Sequence, residues 1–384
     1  MRTSTSAAMA AALIGTASAA VIDLPISIRD GYAMVDFGVG TPAQHFNLLF
    51  DTGSTSTWIV DEECAETCAH VDKGHRTGYN KTASSTGSYT GEDASIDYLG
   101  GRVAGPTVKE QFAADGVKFE ASFIAANESN WSSLAAAGFM GLAFGSIADG
   151  GAQPLFETLM EEKKVDEPKF GIYYSRADGD DTNGAPGKGL LTLGGSKEKE
   201  YVDGELTTFK ITTGGQDFDV WRSILHTVTG SCKKSNCTKK AETKVDMLGA
   251  AAVFDTGASG ITFSTDKIDE IYESIGWNWQ DILHGKHVPL CSEFTDDWSI
   301  TLSVGYYGEE VDIVITGDQL ALPGFANRDD ACWPPFDDSG AYGFGLIGKR
   351  ALKNFYTVWD YSAFPKEGQF MSPTLSFGKL KAGM

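Results

Sequence analysis

The chain predicts an all-β protein built from two similar halves, and three observations predict it. Its 45 glycines punctuate short apolar runs rich in Val, Ile, Thr and Phe, with Gly, Asn, Asp and Ser clusters between them, the pattern of strands and turns. The tripeptide Asp-Thr-Gly occurs twice, each time directly after an apolar run, as Leu48-Leu49-Phe50-Asp51-Thr52-Gly53-Ser54 and Ala252-Val253-Phe254-Asp255-Thr256-Gly257-Ala258. The copies stand about two hundred residues apart, so each half of the 384-residue chain has the size of one β lobe.

A carboxylate just past a buried strand, on a turn opened by Gly, is held rigidly and still faces a cleft. Two such carboxylates from similar halves can meet across a pseudo-twofold axis. At about 3 Å apart they cannot both ionise, so they share one proton and hold an acid and a base together. One then deprotonates a bound water while the other protonates a carbonyl oxygen. A lone Asp-Thr-Gly is ordinary turn chemistry, and Asp51 and Asp255 suit turn positions as well. The repeat in matched surroundings is what points to catalysis.

Those surroundings extend further. Tyr32-Ala33-Met34-Val35-Asp36-Phe37-Gly38-Val39-Gly40-Thr41-Pro42-Ala43-Gln44 precedes the first motif, Trp58 follows it, and each half carries a hydrophobic-hydrophobic-Gly element, Phe139-Met140-Gly141 and Leu346-Ile347-Gly348. In these features nearly the whole chain after the first twenty residues resembles the pepsin-like aspartic proteases. The resemblance implies a bilobal fold of two pseudo-twofold-related β lobes with a few short helices. It implies a secreted endopeptidase using Asp51 and Asp255, with no covalent intermediate and no cofactor, that acts on proteins or peptides and is blocked by pepstatin-type inhibitors.

From the N-terminus onward, residues 1–19 read as a secretory signal: Arg2, an apolar stretch over residues 7–14, and Ala17-Ser18-Ala19 as cleavage site. After that cut about a dozen residues precede Tyr32 and already read as a strand over residues 21–28. That leaves no room for the longer basic prosegment of the family, so either activity without prosegment removal or folding with outside help is expected. The first lobe then spans residues 20–204 and the second 205–384, with the seam at Tyr201-Val202-Asp203-Gly204. Helical spacing of apolar residues marks residues 154–163 and 266–274.

Within the site, the resemblance casts Thr52 and Thr256 as braces beneath the carboxylates, while Gly53 and Gly257 let backbone N–H groups approach where a side chain would crowd. Ser54 matches a hydroxyl that donates to the first aspartate. Its counterpart is Ala258, where relatives carry Thr or Ser. Residues 94–105 resemble the mobile hairpin, or flap, that closes over substrate, with Tyr98 and Gly100 at its tip and Tyr98 reaching toward Trp58. Leu99 and Arg102 depart from the usual flap pattern, and Lys349 stands where Asp is common. Leu49, Phe139 and Ile261 are expected either to line the cleft or to belong to ordinary core.

Six cysteines suit an oxidising compartment and allow 15 pairings. The resemblance selects Cys64–Cys68, Cys232–Cys237 and Cys291–Cys332. A zinc site from Cys64, Cys68, His70 and His75 is the rival, but its spacing matches no strong zinc signature. Asp178-x-Asp180 lacks the later ligands of a calcium loop, and His284-x-x-His287 is a weak metal pair, so no metal is expected. Sequons at Asn80, Asn127, Asn130 and Asn236 are candidate glycosylation sites.

The formal net charge of −21 disfavours nucleic acid as a partner and suits acid conditions, where protonation of carboxylates relieves self-repulsion. Residues 130–148 are uncharged but too rich in Ala, Gly and Ser to span a membrane, and no hydrophobic tail ends the chain. A soluble, monomeric, extracellular or secretory-pathway protein is expected. Two other functions compete: a catalytically silent relative that binds or inhibits, and a glycosidase. The first commonly loses a catalytic motif, and the second needs carboxylates about 5–10 Å apart without duplicated Asp-Thr-Gly turns.

Overall fold

The structure is a computed structural model that describes residues 19–29, 31–70, 76–175, 189–233, 242–364 and 371–384. The chain is mostly β, with few and short helices, in the arrangement of a bilobal pepsin-like fold. One sheet belongs to the first half. Its core runs through Tyr32–Val39, Gln44–Asp51, Gly138–Gly141, Trp58–Val60, Val117–Ala126, Arg102–Ala114 and Ser88–Asp97. A five-stranded sheet belongs to the second half, in the order Val311–Thr316, Trp298–Val304, Arg222–Cys232, Glu242–Asp255, Phe344–Gly348. A six-stranded sheet takes Ile22–Pro25, Gly189–Leu193 and Lys169–Tyr174 from the first half and continues into Phe355–Asp360, Thr374–Lys379 and Thr207–Lys210 of the second.

Burial follows from strand periodicity. Trp298–Val304 alternates strictly between buried and half-buried residues, as a strand with one covered face must. The end of Gln44–Asp51 is buried on both faces, which explains the unbroken run Leu48-Leu49-Phe50. Parallel partners flank it and its counterpart: Gly138–Gly141 lies beside Gln44–Asp51, and Phe344–Gly348 beside Glu242–Asp255.

The two expected helices form as Leu155–Glu161 and Ile268–Ser274. Each buries its apolar stripe, Leu155, Phe156, Leu159 and Met160 in the first and Ile268, Ile271 and Tyr272 in the second. The expected strand over residues 21–28 is instead two strands. Ile22–Pro25 pairs with Gly189–Leu193 in the six-stranded sheet, whereas Ser27–Arg29 pairs with Tyr32–Val39 in the first-half sheet. Pro25 marks the change, having no N–H to continue a ladder.

Disulfides join Cys64 to Cys68 and Cys291 to Cys332. Cys237 of the third expected pair lies outside the described residues, as do His75, Asp178, Asp180, Asn236 and residues 1–18. With Cys64 and Cys68 bonded to each other, the zinc alternative loses its thiolates. His284 and His287 face different partners, the Gln280 carbonyl and Glu293. Asn127 and Asn130 are exposed, and Asn80 is half-buried with its amide donating to Glu62. Among the described residues no helix is long and apolar enough to cross a membrane.

Candidate active site

Asp51 and Asp255 end the two innermost strands, and the parallel neighbour puts Gly141 beside Asp51 and Gly348 beside Asp255. A side chain at either glycine is impossible. A Cβ on Gly141 would fall 2.0 Å from the Thr55 carbonyl oxygen, and one on Gly348 would fall 2.2 Å from that of Gly260. Each hydrophobic-hydrophobic-Gly element therefore lets the aspartate turn fold back tightly over it.

Beneath the carboxylates the halves lock reciprocally. The Thr52 N–H donates to Thr256 Oγ1 and the Thr256 N–H to Thr52 Oγ1, both at 3.0 Å. Thr52 Oγ1 donates onward to the Phe254 carbonyl and Thr256 Oγ1 to that of Phe50, both at 2.8 Å. All four groups are buried, so every bond here also avoids an unpaired polar atom in the core.

Above this brace the carboxylates face one another. A Cβ on Gly53 would lie 2.5 Å from the Asp255 carboxylate, and one on Gly257 would lie 2.5 Å from Asp51 Oδ1. The glycine N–H groups serve their own aspartates: Gly53 donates to Asp51 Oδ1 at 2.8 Å and Gly257 to Asp255 Oδ1 at 2.7 Å. The symmetry ends at the next residue. Ser54 Oγ donates to Asp51 Oδ2 at 2.5 Å, whereas Ala258 offers only its N–H, 3.1 Å from Asp255 Oδ1.

Asp255 keeps some surface toward the cleft, yet the protein packed around it is dense. Burial pushes its carboxyl well above the usual carboxylate range, the Asp51 charge adds to the push, and the N–H groups of Ala258 and Gly257 oppose it. The two carboxyls titrate as a pair that shares a proton, and these surroundings disfavour the charged form of Asp255.

A cleft of about 750 Å³ opens over the pair. One wall is the hairpin of Ser88–Asp97 and Arg102–Ala114, closed by the Tyr98 N–H to Gly101 carbonyl bond of 2.7 Å. Tyr98 and Gly100 both line the cleft, and Leu99 projects from the tip, 89% exposed. The Tyr98 ring packs against Phe139 at 5.3 Å and Trp131 at 5.8 Å, and Trp58 stacks on Phe139 at 5.0 Å. The hydrogen bond expected from Tyr98 to Trp58 is not made. Burial raises the hydroxyl's pKa, and Trp58 and Ser54 stand near enough to counter part of that. The contacts nonetheless fall short of hydrogen-bond geometry.

Of the three apolar candidates, Phe139 lines the cleft. Leu49 and Ile261 do not: Leu49 is sealed between Met34 and Phe139, and Ile261 bridges to Ile347 in the core. Several lining residues escaped the sequence reading, among them Trp131, Asp149, Arg222 and Asp337. Gly100 and Gly101 rest on the Trp131 ring, where a Cβ on either would come within 3 Å of it. The only available signal for Trp131 was an aromatic residue in an otherwise small, uncharged stretch. Burial raises the carboxyls of Asp149 and Asp337. Among the described residues no cluster of His, Cys, Asp or Glu is arranged to hold a metal ion.

The profile of the eukaryotic aspartyl protease family matches residues 32–365. Human napsin-A is 29% identical over 353 residues, which is 88% of this chain and 76% of napsin-A. Human cathepsin D is 28% identical over 347 residues, 85% of this chain and 77% of its own length. Pepsin A of Sus scrofa is 27% identical over 337 residues, 84% of this chain and 77% of its own.

Proposed function

Because the chain belongs to the eukaryotic aspartyl protease family, we propose that it hydrolyses peptide bonds with Asp51 and Asp255 as a shared-proton pair. It is an aspartic-type endopeptidase by its relatives. The observation that carries the mechanism is the pair of glycines, each seated against the opposite half's carboxylate and leaving no room for a side chain between them.

A water between the carboxylates gives a proton to Asp51, and its oxygen attacks the substrate carbonyl carbon. Asp255 gives its proton to the carbonyl oxygen, so a neutral tetrahedral diol forms. Its collapse returns one hydroxyl proton to Asp255, while Asp51 passes its own to the departing amine and the C–N bond breaks. The pair then stands as it began. Ser54 steadies Asp51 by its hydrogen bond, Thr52 and Thr256 keep the turns in register, and Tyr98 and Gly100 cover the substrate from the flap with Trp58 behind. The lobes are residues 20–204 and 205–384, meeting over the cleft.

Secretion is part of the proposal, supported by the two disulfides and the leader-like first 19 residues. So are a monomeric state, inhibition by pepstatin-type inhibitors and the lack of nucleic-acid partners. The test is a pH series of digestion on unfolded protein, with and without pepstatin. Acid-favoured cleavage that pepstatin abolishes supports the reading, and pepstatin-resistant cleavage or none overturns it.

A further inference from the structure

Cross-strand register places a cation where the fold needs none. Val253 and Leu49 each precede a catalytic aspartate by two residues and so point the same way as it does. Across the sheet, Val253 is flanked by Arg222 and Leu346, and Leu49 by Met34 and Phe139. Directly paired residues share a face, so these are two equivalent rows, one in each half. The first row is wholly apolar and buried, with Phe139 reaching the cleft under Tyr98. The second row has a buried centre, Val253, between two half-buried ends. Arg222, Val253 and Leu346 all line the cleft, and Arg222 holds the place that methionine fills in the other half.

Among the described residues that line the cleft, Arg222 is the sole cation, set against Asp51, Asp97, Asp149, Asp255 and Asp337. Its side chain is 27% exposed, so its charge is partly desolvated. It is also positioned. One terminal nitrogen, Nη2, donates to Asp219 Oδ2, while Asp219 Oδ1 accepts from the Val220 N–H at 2.7 Å. Gly214 clears the space for that carboxylate, since a Cβ there would fall 1.9 Å from Asp219 Oδ2. Asp219 stands outside the lining, behind the guanidinium. Nε is buried without a hydrogen-bond partner among the described residues, and Nη1 makes no hydrogen bond to them. A guanidinium held at one corner, with Nη1 uncommitted and a cleft in front, can receive an anion.

We propose that Arg222 is a specificity residue that selects substrates presenting a glutamate or aspartate side chain to the Arg222–Val253–Leu346 row. This rests on the proteolytic reading above and adds to it the substrate class. The substrate carboxylate takes the uncommitted Nη1 of Arg222, and Asp219 keeps the guanidinium from turning away. Because the substrate glutamate ionises between about pH 4 and 5, the preference strengthens as pH rises through that range.

The test uses peptides identical except for Glu, Gln or Lys at each of the three positions on either side of the scissile bond, cleaved in competition at pH 3.5 and 5.5. At one position Glu is expected to exceed Gln by about tenfold in kcat/KM at pH 5.5, with the ratio falling toward one at pH 3.5. Arg222→Met, the first half's own residue, should flatten the ratio, and Arg222→Gln should do so while keeping hydrogen-bond donors in place. Arg222→Glu should turn the preference toward Lys. A ratio near one at every position in the wild type, or a preference that survives both neutral variants, overturns the proposal while cleavage of the Gln peptides upholds proteolysis. Failure to cut any peptide overturns both.

Discussion

In the first half the turn runs Asp51-Thr52-Gly53-Ser54, and in the second Asp255-Thr256-Gly257-Ala258. Thr answers Thr and Gly answers Gly, with bond lengths that repeat to within 0.1 Å, 3.0 and 3.0, 2.8 and 2.8, 2.8 and 2.7 Å. The fourth residue breaks the match, giving Asp51 a donor on each oxygen and Asp255 donors on only one. Symmetry brings the carboxylates together, and the departure from it gives them different hydrogen-bond surroundings. A second difference lies behind the turns. After Gly141, the Gly145 N–H donates to buried Glu157, whose carboxyl burial pushes up to about 7. After Gly348 comes buried Arg350, lowered to about 10 by burial and holding the carbonyls of Leu320, Trp333 and Pro334.

The most forceful test of equivalence is to disable each carboxylate alone. Asp51→Asn and Asp255→Asn should each lower kcat/KM by about 10⁴-fold, because an amide cannot trade the proton. Unchanged circular dichroism should accompany the loss. A variant that kept a tenth of the activity would show that its half is not part of the pair.

Next comes the brace. Thr52→Val and Thr256→Val each delete a hydroxyl that both donates and accepts in the core, which costs about 2 to 4 kcal/mol through the groups left unpaired. Denaturant unfolding should give the two variants equal losses. Unequal losses would mean that one half carries the seam.

The buried ionisable groups should make each half's stability depend on pH. Glu157 has a folded pKa near 7 against an ordinary 4.5, so its proton is retained longer in the folded state. Its contribution is present below pH 4.5 and is lost as pH rises toward 7, amounting to roughly 3 kcal/mol. Asp255, Asp149 and Asp337 are also raised and act with the same sign. Arg350 stays charged throughout that window. Hydrogen exchange from pH 4 to 7 should show Leu155–Glu161 loosening as pH rises, and Glu157→Gln should flatten the change there while leaving the second half's own pH dependence, set by Asp255 and Asp337, in place. A change at Leu155–Glu161 that Glu157→Gln leaves unaltered would count against this.

The smallest expected effect repairs the broken match. Ala258→Thr adds a donor that favours the ionised pair, so the acid limb of kcat/KM should move to lower pH by somewhat under one unit, on the order of 1 kcal/mol. Overlapping acid limbs between pH 2 and 7 would show that nothing was missing at Ala258.

What could be read ahead of the structure was what short segments determine. The aspartate turns, their bracing threonines and the hydrophobic-hydrophobic-Gly elements are each contained in a few neighbouring residues, and the helices at Leu155–Glu161 and Ile268–Ser274 show their stripe in one or two turns. Tyr98 was found because residues 94–105 resemble the flap of the family. Arg222, Asp337 and Trp131 went unseen because their place depends on register between distant strands or on a loop folding under the flap. Leu49 and Ile261 show the same limit from the other side. Alternation tells which residues share a face, but not whether that face meets a cleft or another layer.

The brace also sets a clock. Thr52 and Thr256 are 204 residues apart, so a growing chain carries one carboxylate long before it carries the other. At about 5–20 residues per second, the interval is on the order of 10–40 s. On the proposed mechanism, the emerging polypeptide holds Asp51 without its partner during that time and cannot cut itself or its neighbours. An enzyme whose own unfolded chains are potential food is thereby harmless until nearly two thirds of it has been made.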